Sequence, residues 1–224
     1  MKKPFIVAID GASSTGKSTL AKGVAKALNF IYVDSGAMYR GITLYAQQQQ
    51  WLTNTHFDKE ALLANLDDIQ LTFANNKLML NGVDVSDEIR GMTVSNAVSK
   101  VAAISEVRAF LVAQQRILGT HQNIVMDGRD IGTVVFPNAD LKLFLTADAQ
   151  TRAQRRYEEL QQQDPTVTFD AILENITQRD HLDSTRADSP LVQAEDAIAL
   201  DATQFNVQEM LQHVLGLVAE RLTE

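Results

Sequence analysis

An α/β fold with a parallel sheet of five strands flanked by helices is predicted for this chain by three features near its start. Phe5–Asp10 is an apolar run rich in β-branched residues between Pro4 and Gly11, the pattern of a strand buried on both faces. A glycine-bearing loop follows, and from residue 18 to 28 the period becomes helical, with Leu20, Ala21, Val24, Ala25 and Leu28 on one stripe. Ile31–Asp34 is a second short strand. Strand, loop, helix and strand in that order make a βαβ unit, whose two strands run parallel.

The middle of the chain changes character. Ile69–Phe73 and Lys77–Leu80 alternate in polarity on either side of Asn75-Asn76, which predicts a hairpin, and Asn81-Gly82 turns the chain into a third short strand at Val83–Val85. This small antiparallel meander reads as an insert in the αβ chain. Helices are expected at 93–103 and 105–118. Ile124–Asp127 and Leu141–Leu145 supply two more core strands, separated by a polar, turn-rich segment from Gly128 to Asn138. Helices follow at 149–163 and 168–182, then a last short strand at Ala197–Leu200 and an amphipathic closing helix from Val207 to Leu222.

Composition narrows the function. A formal charge of −8 over 224 residues disfavours a nucleic-acid or anionic-membrane surface, each of which needs a basic face. The apolar run after Met1-Lys2-Lys3-Pro4 is too short for a signal peptide, and no stretch is long enough to span a bilayer, so a cytoplasmic protein is expected. Without cysteine there is no thiol nucleophile and no thiolate metal site, and His56, His121, His181 and His213 lack metal-ligand spacing. Six of the eleven arginines fall between Arg129 and Arg186, where Lys142 is the last lysine of the chain. An arginine cluster in an acidic chain suits a compact anion such as phosphate, although solvated helix surface gives the same pattern.

The loop after the first strand is Gly11-Ala12-Ser13-Ser14-Thr15-Gly16-Lys17-Ser18, followed by Thr19, a full match to the phosphate-loop pattern. Its glycines let the backbone curl so that amides point at phosphate oxygens, and the following helix adds its N-terminal dipole. Lys17 is placed to reach the outer phosphates and Ser18 to ligate Mg²⁺. A nucleoside triphosphate with Mg²⁺ is therefore expected here.

Further polar groups gather after other strands, on the edge where ligands bind in open α/β sheets. Asp34-Ser35-Gly36-Ala37-Met38-Tyr39-Arg40 follows the second strand and serves either as a binding segment or as a helix cap. Asp127-Gly128-Arg129-Asp130 follows the third, as an anion grip or as a turn with a local ion pair. Arg179, Asp183 and Arg186 would share one helical face, as a phosphate clamp or as a surface ion-pair ladder. Arg152, Arg155 and Arg156 crowd one turn without enough facing acids to pair them all, which suggests a lid over the triphosphate.

With these residues in view, the chain resembles bacterial cytidylate kinases through Gly16-Lys17-Ser18-Thr19, Asp34–Arg40, Asp87-Glu88-Ile89-Arg90, Asn96-Ala97-Val98-Ser99, the long string Asp127–Pro137, and Arg179-Asp180 through Arg186. The resemblance implies a phosphate-loop kinase core at 1–35, 110–148 and 190–224. It also implies a nucleotide-binding insert at about 36–109 and a lid with arginine-bearing helices at about 149–189. ATP is the implied co-substrate with Mg²⁺, CMP and dCMP the implied acceptors, and a monomer the implied state. Lys17, Arg152 and Arg156 would then serve ATP. Ser35 would meet the cytosine or sugar side of the acceptor, Tyr39 and Asp127 would line its site, and Arg40 would face its phosphate. Ser99, Arg108 and Asp130 would contact the base. Arg129 and Arg179 would bind the acceptor phosphate or the transferring group, Asp183 the sugar hydroxyls, and Arg186 the transferring phosphoryl. One departure is Ala12, where the family often carries proline. Two other readings stay open on the residues alone, a phosphate-loop kinase of another small molecule and a nucleotide-gated switch.

Overall fold

The computed structural model describes residues 3–74, 77–162 and 164–223; the expected Asn75-Asn76 turn and Gln163 lie outside the described residues. The chain opens with β1 (Ile6–Gly11), α1 (Lys17–Leu28), β2 (Ile31–Asp34), α2 (Ser35–Gln48) and α3 (Lys59–Ala64). Strands β3 (Leu71–Ala74), β4 (Lys77–Leu80) and β5 (Val83–Asp84) follow, then α4 (Met92–Ala102) and α5 (Ser105–Leu118). The remainder is β6 (Ile124–Gly128), β7 (Leu141–Thr146), α6 (Ala149–Gln161), α7 (Phe169–Thr185), β8 (Ile198–Asp201) and α8 (Val207–Thr223).

Two compact units are formed, one from residues 1–34 and 115–224 and the other from 35–114. The first holds a parallel sheet of order β2-β6-β1-β7-β8. Strand β1 is central and buried throughout, as its unbroken apolar run requires. Leu20, Ala21 and Val24 of α1, with Met210, Val214 and Val218 of α8, pack with Val7, Ile9, Val125, Leu141 and Leu143 into one core. Each large side chain buried this completely contributes about 1.5–3 kcal/mol. Chain order reverses on the two sides of β1, so the carboxyl ends of β1 and β6 flank a switch point, where such sheets leave room for a ligand.

The second unit carries the meander. Strands β3, β4 and β5 are antiparallel, with Leu71 opposite Leu80 and Phe73 opposite Leu78. Met38, Ile42, Leu62, Leu78, Ile89, Val101 and Leu111 form its core.

Two expectations are corrected here and one element is added. The segment after β6 is not a polar run of turns: Ile131–Val135 is one turn of π-helix, with Ile131 and Val135 buried. It closes through Val135 N to Asp130 O at 3.1 Å and Phe136 N to Ile131 O at 2.7 Å, a wide turn whose five residues are too few to show a period in sequence. Helix α3 was not expected; Asp58 starts it by accepting from Ala61 N–H at 2.9 Å. Helix α7 runs past residue 182 to Thr185, which leaves Arg186 as its extended C-cap rather than a helical residue.

Candidate active site

The loop after β1 has the backbone that its glycines permit. Gly11 has φ +149°, and a Cβ there would lie 2.2 Å from the Leu145 carbonyl oxygen of the neighbouring strand β7, so only glycine fits. Gly16, at φ 95°, turns the chain into α1. Lys17 is buried, and its ammonium folds back to the loop, donating to Ala12 O at 2.5 Å and to Thr15 Oγ1 at 3.4 Å. Burial and the Arg129 guanidinium pull its pKa down, against Asp127, Asp10 and Asp34. The Ser13 hydroxyl is buried with no hydrogen-bond partner among the described residues. A phosphate in the loop would supply one.

Three aspartates stand at the carboxyl edge of three adjacent strands: Asp34 ends β2, and Asp127 of β6 and Asp10 of β1 each lie one residue before a terminal glycine. Asp127 accepts from Ser18 Oγ at 2.9 Å and from the buried Tyr32 hydroxyl at 2.9 Å. Burial and Asp34 push its carboxyl upward, opposed by Lys17 and these two hydroxyls. A serine oxygen held against a carboxylate is a hard-oxygen donor set that suits Mg²⁺, which takes few protein ligands and completes its shell with phosphate and water. Asp10 accepts from Ile131 N–H at 2.8 Å and Gly132 N–H at 2.7 Å. Burial raises its carboxyl to about 6 despite those bonds. Asp10 and Tyr32 were not singled out in sequence. The available signal was an acid closing an otherwise apolar strand.

The long string from Asp127 to Pro137 is fastened from three sides. Asp10 holds its amides, Arg116 of α5 donates to Val134 O at 2.7 Å and Val135 O at 3.1 Å, and buried Lys142 of β7 donates to Pro137 O at 2.5 Å. Arg129 and Asp130 sit at the head of this fixed segment, Asp130 buried. Arg129 Nε donates to Asp183 Oδ2 at 2.9 Å, and Arg186 Nη1 lies 3.7 Å from Asp183 Oδ1. Burial alone would raise the Asp183 carboxyl, but Arg129, Arg179 and Arg186 together hold it below the usual range. The carboxylate therefore gathers these cations, although the single helical face expected for Arg179, Asp183 and Arg186 ends at Thr185.

The sequence expects too few facing acids for the three crowded arginines of α6; Arg152 and Arg156 each pair with one, and Arg155 turns to backbone carbonyls. Arg152, itself buried, pairs with Asp180 of α7 through both terminal nitrogens, at 3.1 and 2.5 Å, and donates to Ser13 O at 3.2 Å. Arg155 reaches Thr15 O at 3.4 Å and Ala202 O at 3.0 Å, while Arg156 pairs with Glu159 at 2.8 Å. Two of the three thus grip carbonyls of the phosphate loop.

In the second unit, Ser35, Tyr39 and Arg40 lie on α2, Ser99 on α4 and Arg108 on α5. The Arg108 guanidinium stands 5.3 Å from the Tyr39 ring centroid, and its Nη1 donates to Ala102 O at 3.2 Å. Ser35, Tyr39, Ser99 and Arg108 are all buried.

A parallel sheet of this order, a phosphate loop ending in Lys17-Ser18 and an arginine cluster around Asp183 define a phosphate-loop kinase with a small acceptor. Comparison with known proteins gives the particular family. The cytidylate kinase family profile matches residues 7–220. Cytidylate kinase of Flavobacterium johnsoniae is 53% identical over 222 residues, 96% of each chain. That of Phocaeicola vulgatus is 49% identical over 213 residues, 92% of this chain and 93% of its own. A solved protein of Eubacterium ventriosum, described as uncharacterized, shares the fold at TM-score 0.53 and 13% identity, covering 97% of this chain and 99% of its own. The chain belongs to the cytidylate kinase family, whose members are ATP-dependent nucleoside monophosphate kinases. Among the described residues no helix is long and apolar enough to cross a membrane.

Proposed function

We propose that this chain transfers the γ-phosphoryl group of ATP to the phosphate of CMP or dCMP, giving ADP and the diphosphate, as a cytoplasmic monomer. The observation that carries this reading is electrostatic. Lys17 is folded onto the phosphate loop, Ser18 beside it meets Asp127 at 2.9 Å, and Arg129, two residues on from Asp127, pairs with Asp183 at 2.9 Å, which links the loop to the arginine cluster.

In this reading the loop from Gly11 to Thr19 cradles the triphosphate. Lys17 leaves Ala12 O to meet the outer phosphates, and Arg152 and Arg156 serve the donor side. Ser18 would hold Mg²⁺ with Asp127 behind it; the ion supplies neutralisation of phosphate charge. Arg40, Arg129, Arg179 and Arg186 bind the acceptor phosphate and the transferring group. Ser35, Tyr39, Ser99, Arg108, Asp130 and Asp183 recognise base and sugar. The attacking oxygen is already ionised, so no strong general base is required, and alignment with charge neutralisation accounts for most of the rate. The unit at 36–109 binds the monophosphate, and the helices at 149–189 act as the lid.

The test is an initial-rate assay of ADP release with CMP, dCMP, UMP, AMP and shikimate. Preference for CMP and dCMP is expected. A shikimate preference, or ADP release indifferent to acceptor, would overturn the proposal.

A further inference from the structure

Asp10 has no part in the roles assigned above, yet it is a buried carboxylate one residue before the phosphate loop. Placing an ionised carboxylate out of water is costly unless its oxygens are satisfied. Here both oxygens accept from consecutive backbone amides, Ile131 at 2.8 Å and Gly132 at 2.7 Å. These amides belong to the π-turn that follows Arg129 and Asp130 directly. A neutral asparagine in the same place has one acceptor oxygen and an NH₂ that opposes the second amide. The geometry therefore demands a carboxylate. The site is also tight: a Cβ on Gly132 would lie 3.3 Å from Asp10 Oδ2 and 3.1 Å from the Lys142 side chain. The charged groups around Asp10 are Lys17, which favours its ionised form, and Asp130, which opposes it. The ammonium of Lys142 is engaged elsewhere, with Pro137 O and Asp196.

We infer that Asp10 is a positioning residue, whose carboxylate clasps the Ile131–Gly132 backbone and so sets Arg129 and Asp130 for the acceptor from the strand that carries the phosphate loop. This rests on the assignment of Arg129 and Asp130 to the acceptor side. One strand end then governs both halves of the reaction. Gly11 onward shapes the donor loop, and Asp10 fixes the acceptor turn.

The experiment compares the wild-type enzyme with Asp10→Asn by two readouts. In initial rates, the KM for CMP should rise about tenfold, as expected for losing a hydrogen bond to a charged group, while the KM for ATP changes by less than about threefold. Separately, amide resonances are followed by ¹H–¹⁵N NMR against pH without nucleotide, because the acceptor phosphate itself ionises near pH 6. The Ile131 and Gly132 amides should titrate together near pH 6 in the wild type and not in Asp10→Asn. Equal rises in both KM values would overturn the inference, because the change would then act through Lys17 and the loop. An unchanged KM for CMP with the amide titration lost would overturn it too. Arg129→Met run in parallel separates the two claims. If it leaves the KM for CMP unchanged, the acceptor reading is wrong and the inference falls with it, though the amide titration persists. If it raises that KM and Asp10→Asn does not, the positioning role alone is wrong. Should Asp10→Asn fail to fold, Gly132→Ala crowds the same clasp and must raise the KM for CMP selectively.

Discussion

Replacing Asp183 by alanine removes the carboxylate that Arg129 and Arg186 share. The Asp183 side chain is 8% exposed, that of Arg129 17% and that of Arg186 5%, so solvent screens the cluster little. Deleting one partner of a buried ion pair leaves uncompensated charge and costs about 3–5 kcal/mol. At this chain length that corresponds to a fall in melting temperature of about 6–20 °C. Urea unfolding at pH 7 measures the loss. The pH dependence has a defined sign. The three arginines hold the Asp183 carboxyl below its unfolded value, so its stabilisation is present above the ordinary carboxylate range and fades as pH falls through the folded value. The gap between wild type and Asp183→Ala should therefore narrow in strong acid. Arg129→Met added to Asp183→Ala removes much of the stranded charge, so the double variant should be more stable than the sum of the single losses implies. A single loss under about 1 kcal/mol, or strict additivity, would refute a buried charge cluster at this position.

Other outcomes follow from the same geometry. Gly11→Ala forces a methyl onto the Leu145 carbonyl at 2.2 Å and should cost about 3 kcal/mol or more by urea unfolding, with nucleotide binding lost; Gly16→Ala meets no atom within 4 Å and should cost less. Arg179→Ala and Arg186→Ala should each lower kcat by about 10²-fold or more while circular dichroism is unchanged, and near-wild-type turnover in both would remove the clamp. Asp10 works against stability above about pH 6, because burial makes the native state hold its proton more tightly than the unfolded chain does. As pH falls from about 6 to 4, the wild type should gain stability relative to Asp10→Asn by about 2 kcal/mol, whereas a constant difference would show that Asp10 does not titrate in this window.

The parts of the fold that could be read from sequence are those with sustained local patterns. Strand β1 and helix α1 show two different apolar periods on either side of the phosphate loop, and β3 and β4 alternate around a turn. The π-turn at Ile131–Val135 could not be read that way, since five residues carry no period and its backbone is bonded by Asp10 and Arg116 from elsewhere in the chain. The same distinction holds in the site. Lys17 and Ser18 announce themselves by spacing. The pairing of Arg152 with Asp180, and its grip on Ser13 O, depends on how α6, α7 and the loop come together, so the α6 arginines looked unmatched in sequence. Asp10 read only as the residue that ended a strand, because the amides it holds lie 121 and 122 positions away.

Phosphoryl transfer is tested most directly by incubating the enzyme with ATP labelled in its γ-phosphate, together with CMP, and separating the products. Label is expected in the β-phosphate of CDP, formed in step with unlabelled ADP, and none of it in Lys17→Ala. Label released as inorganic phosphate at a rate indifferent to CMP would contradict it.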